Sequence, residues 1–175
     1  MIITLTGFMG CGKSSVGRIL PTLLDMSGGP FSFIDLDDYI ISQEGMSVND
    51  IFSKKGESGF REIETRCLEA VLDQYKDANL VLALGGGTIL MNSESIRERT
   101  VCIYLNASVE ALFTRLKEDS SRPLLKGGEL AATIEELYSR RESTYRGTAA
   151  FIINTDGLSV PEVAGQIKSL LSERQ

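Results

Sequence analysis

Gly7-Phe8-Met9-Gly10-Cys11-Gly12-Lys13-Ser14 satisfies the pattern G-x-x-x-x-G-K-[ST], between a strand-like run at 2–6 and a stretch of helical period at 16–24. The spacing has a mechanism. Glycines let the backbone close around phosphate oxygens, and its N–H groups, with the positive N-terminus of the next helix, stabilise the negative charge. In such a loop Lys13 bridges the β- and γ-phosphates and the Ser14 hydroxyl ligates magnesium. The expected nucleotide contacts are therefore Gly10, Cys11, Gly12, Lys13, Ser14 and Ser15, with Cys11 read as a small residue that fits the turn rather than as a redox group.

Asp35-Leu36-Asp37-Asp38 closes a second strand-like run. In extended chain Asp35 and Asp37 point to one side, so both carboxylates are expected to face one crevice beyond the carboxyl ends of the strands. Asp38 reads instead as the N-cap of the following helix. The chain contains no histidine, which leaves Asp37 as the candidate either to accept a hydroxyl proton or to orient the hydroxyl. Gly85-Gly86-Gly87 follows another run, at 80–84, where bare backbone admits a ligand.

Three arginines complete the candidates. Arg141 lies seven residues after Ile134 and Arg61 seven before Leu68, so each projects from or beside an apolar stripe, where an inward charge needs a partner. They form either a bidentate clamp for a carboxylate or phosphate, or separate internal salt bridges. Arg122, followed by Pro123, stands in a polar loop and either reaches the transferring phosphoryl group or is solvated.

Composition narrows what these residues can do. The absence of histidine removes Ser-His-Asp and Cys-His nucleophiles and HExxH zinc chemistry together. A net charge of -6 opposes binding to a phosphate backbone, so no nucleic-acid partner is expected. Cys11, Cys67 and Cys102 match neither a disulfide framework nor a CxxC metal site, and a reducing, cytoplasmic location is expected. The chain opens directly into an apolar run with no basic leader, and runs such as 80–84 are too short for a hydrocarbon core of about 30 Å, so neither secretion nor a membrane is expected.

The elements that must position the site follow from periodicity. At 175 residues, with 42% hydrophobic and 24% charged, the chain fits one domain with a real core. Apolar runs at 2–6, 31–35, 80–84, 100–105 and 151–154 alternate with helical stretches, the pattern of βαβ units in a parallel sheet covered on both faces. The clearest helices are predicted over 59–75 and 129–146, with a last one opening at Ser159-Val160-Pro161-Glu162, a capping-box spacing with proline in the first turn. Segments 25–30 and 118–128 read as loops, the second either a lid or a passive surface loop.

These motifs together resemble the shikimate kinase family: Gly7 to Ser14, Asp35-Leu36-Asp37, Phe60-Arg61-Glu62-Ile63-Glu64, Gly85-Gly86-Gly87, Arg122-Pro123-Leu124-Leu125, and Arg141 followed by Tyr145. The resemblance covers nearly the whole chain. It implies an α/β P-loop NTPase with a nucleoside-monophosphate-kinase-like, three-layer fold and a five-stranded parallel sheet. A substrate-binding region over about 38–64 and a lid over about 118–128 belong to the same single kinase domain, 1–175. It further implies transfer of the ATP γ-phosphoryl group to the 3-hydroxyl of shikimate, with magnesium, on the route to chorismate. Asp37, Arg61, Gly86 and Arg141 would hold shikimate, while Lys13 and Arg122 would stabilise the phosphoryl group. Ser14 would bind magnesium, Asp35 would support the metal through water, and Arg115 would lie against adenine.

The chain departs from the family pattern at Pro21 and the glycine-rich 27–30, so the first helix is expected to end early or kink. It also carries Asp156-Gly157-Leu158 where the family often has an arginine beside the base. The competing expectations are a kinase of another small hydroxy acid, such as gluconate, a nucleoside monophosphate kinase, and a nucleotide-binding sensor without catalysis. The sensor would have lost Lys13, Ser14, Asp37 or Arg122, and all are present. Nothing marks an oligomer interface, so a monomer is the default.

Overall fold

A computed structural model describes residues 1–24, 29–117 and 130–173. Five strands form one parallel sheet: β1 (Ile2–Thr6), β2 (Ser32–Asp35), β3 (Leu80–Ala83), β4 (Val101–Asn106) and β5 (Phe151–Asn154), in the spatial order β2-β3-β1-β4-β5. The expected strands are all present, displaced by at most a residue at their ends. β1 and β3 are buried along their whole length, as central strands covered on both faces must be. The covering helices are α1 (Lys13–Leu23), α2 (Leu36–Glu44), α3 (Val48–Gln74), α4 (Ile89–Arg99), α5 (Val109–Leu116), α6 (Leu130–Thr148) and α7 (Val160–Ser172).

Strand order decides where a ligand can sit. From β1 the chain crosses to β2, returns through β3 and then passes to β4 on the other side, so the carboxyl ends of β1 and β3 flank the point where the winding reverses. That is where open α/β sheets leave a crevice. β3 separates β1 from β2, so the glycine turn after β3 lies between the phosphate loop and the aspartates.

Three local features refine the sequence reading. α1 continues through Pro21 but ends at Leu23, with Leu24 extended, so the proline falls in the last turn. α3 begins well before the predicted position 59, because it joins two helical segments across Gly56, whose φ of 69° and ψ of -177° interrupt the helix. α7 starts as expected: Glu162 accepts the Ser159 N–H at 2.7 Å, and Pro161 lies in the first turn. The predicted lid, 118–128, lies outside the described residues, as do 25–28 of the first loop.

Candidate active site

The phosphate loop leaves β1 at Thr6 and turns into α1 at Lys13. Gly7 adopts φ 142°, and a Cβ there would come within 2.5 Å of the Leu105 carbonyl oxygen, so only glycine fits the exit from the strand. Gly12 holds the N-cap of α1 at φ 99°. The Lys13 ammonium donates to the Gly7 and Phe8 carbonyls at 2.9 and 3.1 Å, which pins the side chain across the loop it belongs to. Cys11 faces inward: its thiol is buried, 3.9 Å from the Lys13 ammonium, and its N–H bonds the Phe8 carbonyl at 3.2 Å.

The aspartates reach the crevice by a different route from the one the sequence suggested. The strand ends at Asp35, and Asp37 lies in the first turn of α2, so the two are not alternate residues of one extended segment. Asp35 itself is the N-cap, accepting the Asp37 N–H at 3.0 Å. The expected cap, Asp38, instead pairs on the surface with Arg18 at 3.6 Å. The other oxygen of Asp35 accepts the Ser14 hydroxyl at 2.5 Å, which joins the helix cap to the phosphate loop. Asp35 and Asp37 nevertheless line one cavity of about 340 Å³ together with Gly10, Gly12, Lys13, Ser14, Ser15, Gly86 and Arg115.

A second hollow, of about 70 Å³, opens beside it and is lined by Arg61, Arg141, Glu64, Phe52 and Phe60. Asp37, Gly85, Gly86 and Met9 border both spaces. Arg61 combines the two alternatives posed for it: it lines this hollow and also donates to Glu64 at 2.6 Å and to Glu57 at 3.5 Å. Glu64 is only 1% exposed and accepts the Thr88 hydroxyl at 2.7 Å. Arg141 is 5% exposed, lies over the Phe8 ring at 5.8 Å and reaches the Gly86 carbonyl at 3.4 Å. Tyr145 donates to the same carbonyl. A hollow bounded by two guanidinium groups and an aromatic pair, 4.6 Å apart at Phe52 and Phe60, suits a small ring bearing one carboxylate.

On the far side of the phosphate loop, Arg115 donates to the Gly10 carbonyl at 3.3 Å and to the Thr155 hydroxyl and carbonyl at 3.4 and 3.3 Å. Asp156 accepts the Ser108 N–H at 3.1 Å, at the start of α5. The segment that lacks the family's arginine is thus tied to both ends of α5 by Thr155 and Asp156. Glu64 and Tyr145 appear in the sequence motifs without an assigned role. The i, i+3 spacing of Arg61 and Glu64 on a helix was the available signal for the first, and nothing in the sequence pairs Tyr145 with Gly86.

A phosphate loop beyond β1, a carboxylate pair after β2 and an arginine-lined hollow beside the turn after β3 define a P-loop phosphotransferase of parallel α/β fold. Comparison with known proteins narrows the class. The family model described as shikimate kinase matches residues 9–172, and the chain belongs to the shikimate kinase family. It is 40% identical over 166 residues to a shikimate kinase of Caldicellulosiruptor bescii, covering 94% of this chain and 91% of that one. It is 38% identical over 175 residues to one of Geobacter sulfurreducens, covering 99% and 92%. The solved shikimate kinase of Acinetobacter baumannii in complex with shikimate superposes with a TM-score of 0.90 at 34% identity, covering 99% of this chain and 94% of that one. The chain is accordingly an ATP-dependent phosphotransferase acting on an alcohol group. Among the described residues no helix is long and apolar enough to cross a membrane.

Proposed function

We propose that the chain transfers the γ-phosphoryl group of ATP to the 3-hydroxyl of shikimate, giving shikimate 3-phosphate and ADP. The observation that carries this reading is the wall shared by the two spaces: Asp37 and Gly86 border both the phosphate-loop cavity and the hollow that contains Arg61 and Arg141. An acid held by its carboxylate on the arginines presents a ring hydroxyl beside Asp37, facing the phosphate loop. Positioning of this kind contributes most of the catalysis where the transition state is loose.

The roles follow residue by residue. Lys13 stabilises the charge of the transferring group, and Arg122, outside the described residues, is assigned the same work from its motif. Backbone N–H groups from Gly10 to Ser15 hold the phosphates, and Arg115, braced by Thr155, supports the base. Asp37 accepts the hydroxyl proton or fixes the hydroxyl's direction.

The donor set fits magnesium. The Ser14 hydroxyl offers one hard oxygen and donates its proton to Asp35 at 2.5 Å, which leaves the carboxylate placed to hold a metal-bound water. A cation that takes few protein ligands and completes its shell with water and substrate phosphates suits this arrangement. When bound, magnesium would neutralise charge on the phosphate oxygens. The three buried free cysteines support a cytoplasmic location, and we read the chain as a single-domain monomer.

Magnesium-dependent ADP release, measured with shikimate, quinate, gluconate and AMP as separate acceptors and Lys13→Ala as the blank, tests the reading. Turnover with shikimate alone, lost in the blank, is expected. Turnover with gluconate or AMP would overturn the acceptor, and ATP binding without turnover on any acceptor would favour a sensor.

A further inference from the structure

Arg141 and Tyr145 stand four residues apart on α6, so they share a helix face, and both reach one acceptor, the Gly86 carbonyl. A guanidinium is the stronger donor and would ordinarily win such a contest. Here the tyrosine holds the short contact, while Arg141 Nη1 remains at 3.4 Å. The tyrosine hydroxyl has little freedom to leave. Tyr145 is fully buried, and its ring stacks on Tyr104 with centroids 5.1 Å apart and planes at 23°. Burial also pushes its phenol above the ordinary value, so it stays a neutral donor at physiological pH. The neighbouring tyrosines are committed elsewhere: the hydroxyls of Tyr104 and Tyr138 donate to Asn106 at 2.9 and 2.8 Å.

We propose that Tyr145 is a positioning residue for the acid substrate: by filling the Gly86 carbonyl, it keeps the Arg141 guanidinium available to the substrate carboxylate. Without the hydroxyl, the carbonyl turns to the nearest remaining donor, Arg141, and the arginine closes on the protein instead of on the ligand. The same hydroxyl fixes the plane of the peptide bond between Gly86 and Gly87, on the wall that separates the two spaces. The inference rests on the reading of that hollow as the shikimate pocket.

Tyr145→Phe removes one oxygen and keeps the ring stack, and Tyr104→Phe removes a hydroxyl of the same stack that does not touch the glycine turn. Dissociation constants for shikimate and for magnesium-ATP, measured by calorimetry, are compared with KM and kcat. Tyr145→Phe is expected to weaken shikimate binding and raise its KM roughly three- to tenfold, the range that one net hydrogen bond corresponds to, with ATP binding and kcat nearly unchanged. Tyr104→Phe is expected to leave both ligands' constants unchanged. Unchanged shikimate binding in Tyr145→Phe, equal losses for both ligands, or an equal effect of Tyr104→Phe would overturn the proposal. Absence of shikimate binding by the unaltered chain would instead overturn the pocket assignment, and this inference with it.

Discussion

Replacing Gly87 by alanine is predicted to disable the acid pocket while sparing the fold. The backbone of Gly87 lies outside the positive-φ region, so alanine meets no conformational penalty there. Its Cβ, however, would press closest on Arg61 Nη2 and stand 2.7 Å from Cζ and 2.8 Å from Nη1, where ordinary contact begins at 3.4 Å. The guanidinium must therefore retreat by about 1 Å, because Nη2 lies nearest the added methyl and the Gly87 main chain that carries the methyl is packed in place. It cannot do so without disturbing the 2.6 Å bond to Glu64, which the Thr88 hydroxyl holds from behind. A misplacement approaching 1 Å in a positioning group costs up to about 10²-fold, so KM for shikimate should rise roughly ten- to a hundredfold. Because the yielding atoms carry the buried Arg61–Glu64 pair without removing it, the loss of stability should fall between about 1 and 3 kcal/mol. Coupled ADP-release assays at varied shikimate and at varied ATP, with a thermal melt of each protein, measure all of this. A shikimate KM within about twofold of the unaltered chain, or an ATP KM that rises equally, would refute the assignment of Arg61 to the acid.

Asp37→Asn keeps a polar group of the same shape but removes the base, and kcat is expected to fall about 10²-fold or more; activity largely retained would restrict Asp37 to orienting the hydroxyl. Arg61→Ala leaves the buried Glu64 without its cation and should cost about 3 kcal/mol of stability, measured by urea unfolding. Arg141→Ala gives up a bond to a neutral carbonyl that Tyr145 continues to fill, so its stability loss should be nearer 1 kcal/mol although both variants lose acid binding. Burial alone would raise the Glu44 carboxyl, but its ion pairs with Lys55 at 3.3 Å and Arg66 at 2.5 Å hold it below the ordinary value. A depressed carboxyl contributes stability above its unfolded pKa, about 4.3, and loses it as pH falls through the folded value. Glu44→Gln should therefore melt earlier than the unaltered chain at pH 7, with the gap closing in acid, and a gap independent of pH would contradict the ion pairs.

Periodicity made the strands legible because a central parallel strand has one requirement, burial on both faces, and apolar runs advertise it directly. α3 was less so, since its N-terminal segment is joined to the rest across Gly56, whose φ of 69° breaks the helical period in the middle of one element. The glycine is required by the turn, but in sequence it is only one of 17. Asp35 and Asp37 show a related limit of periodicity. A strand that passes straight into a helix makes its last residue the cap, so strand alternation ends at Asp35, although the helical turn that follows still brings Asp37 to the cavity.

The phosphate loop was legible because its chemistry depends on local backbone geometry, which a contiguous motif can encode. The proposed acid pocket depends on contacts 24 to 59 residues apart, such as Thr88 with Glu64 and Tyr145 with Gly86, and no spacing rule reports them. What the sequence offers there, beside the family motifs, is charge: an arginine on an apolar stripe requires a partner, and Arg61 and Arg141 both stand so. It could not distinguish the partners, and these differ in kind. Arg61 is balanced by a buried carboxylate, so its charge is neutralised inside the protein and its position is stiff. Arg141 is held instead by a ring face and a shared carbonyl. On the proposed function, a monoanion entering the hollow meets one arginine fixed by a buried carboxylate and another held by a ring face and a shared carbonyl, a difference set by Glu64, Phe8 and Tyr145 rather than by the arginines themselves.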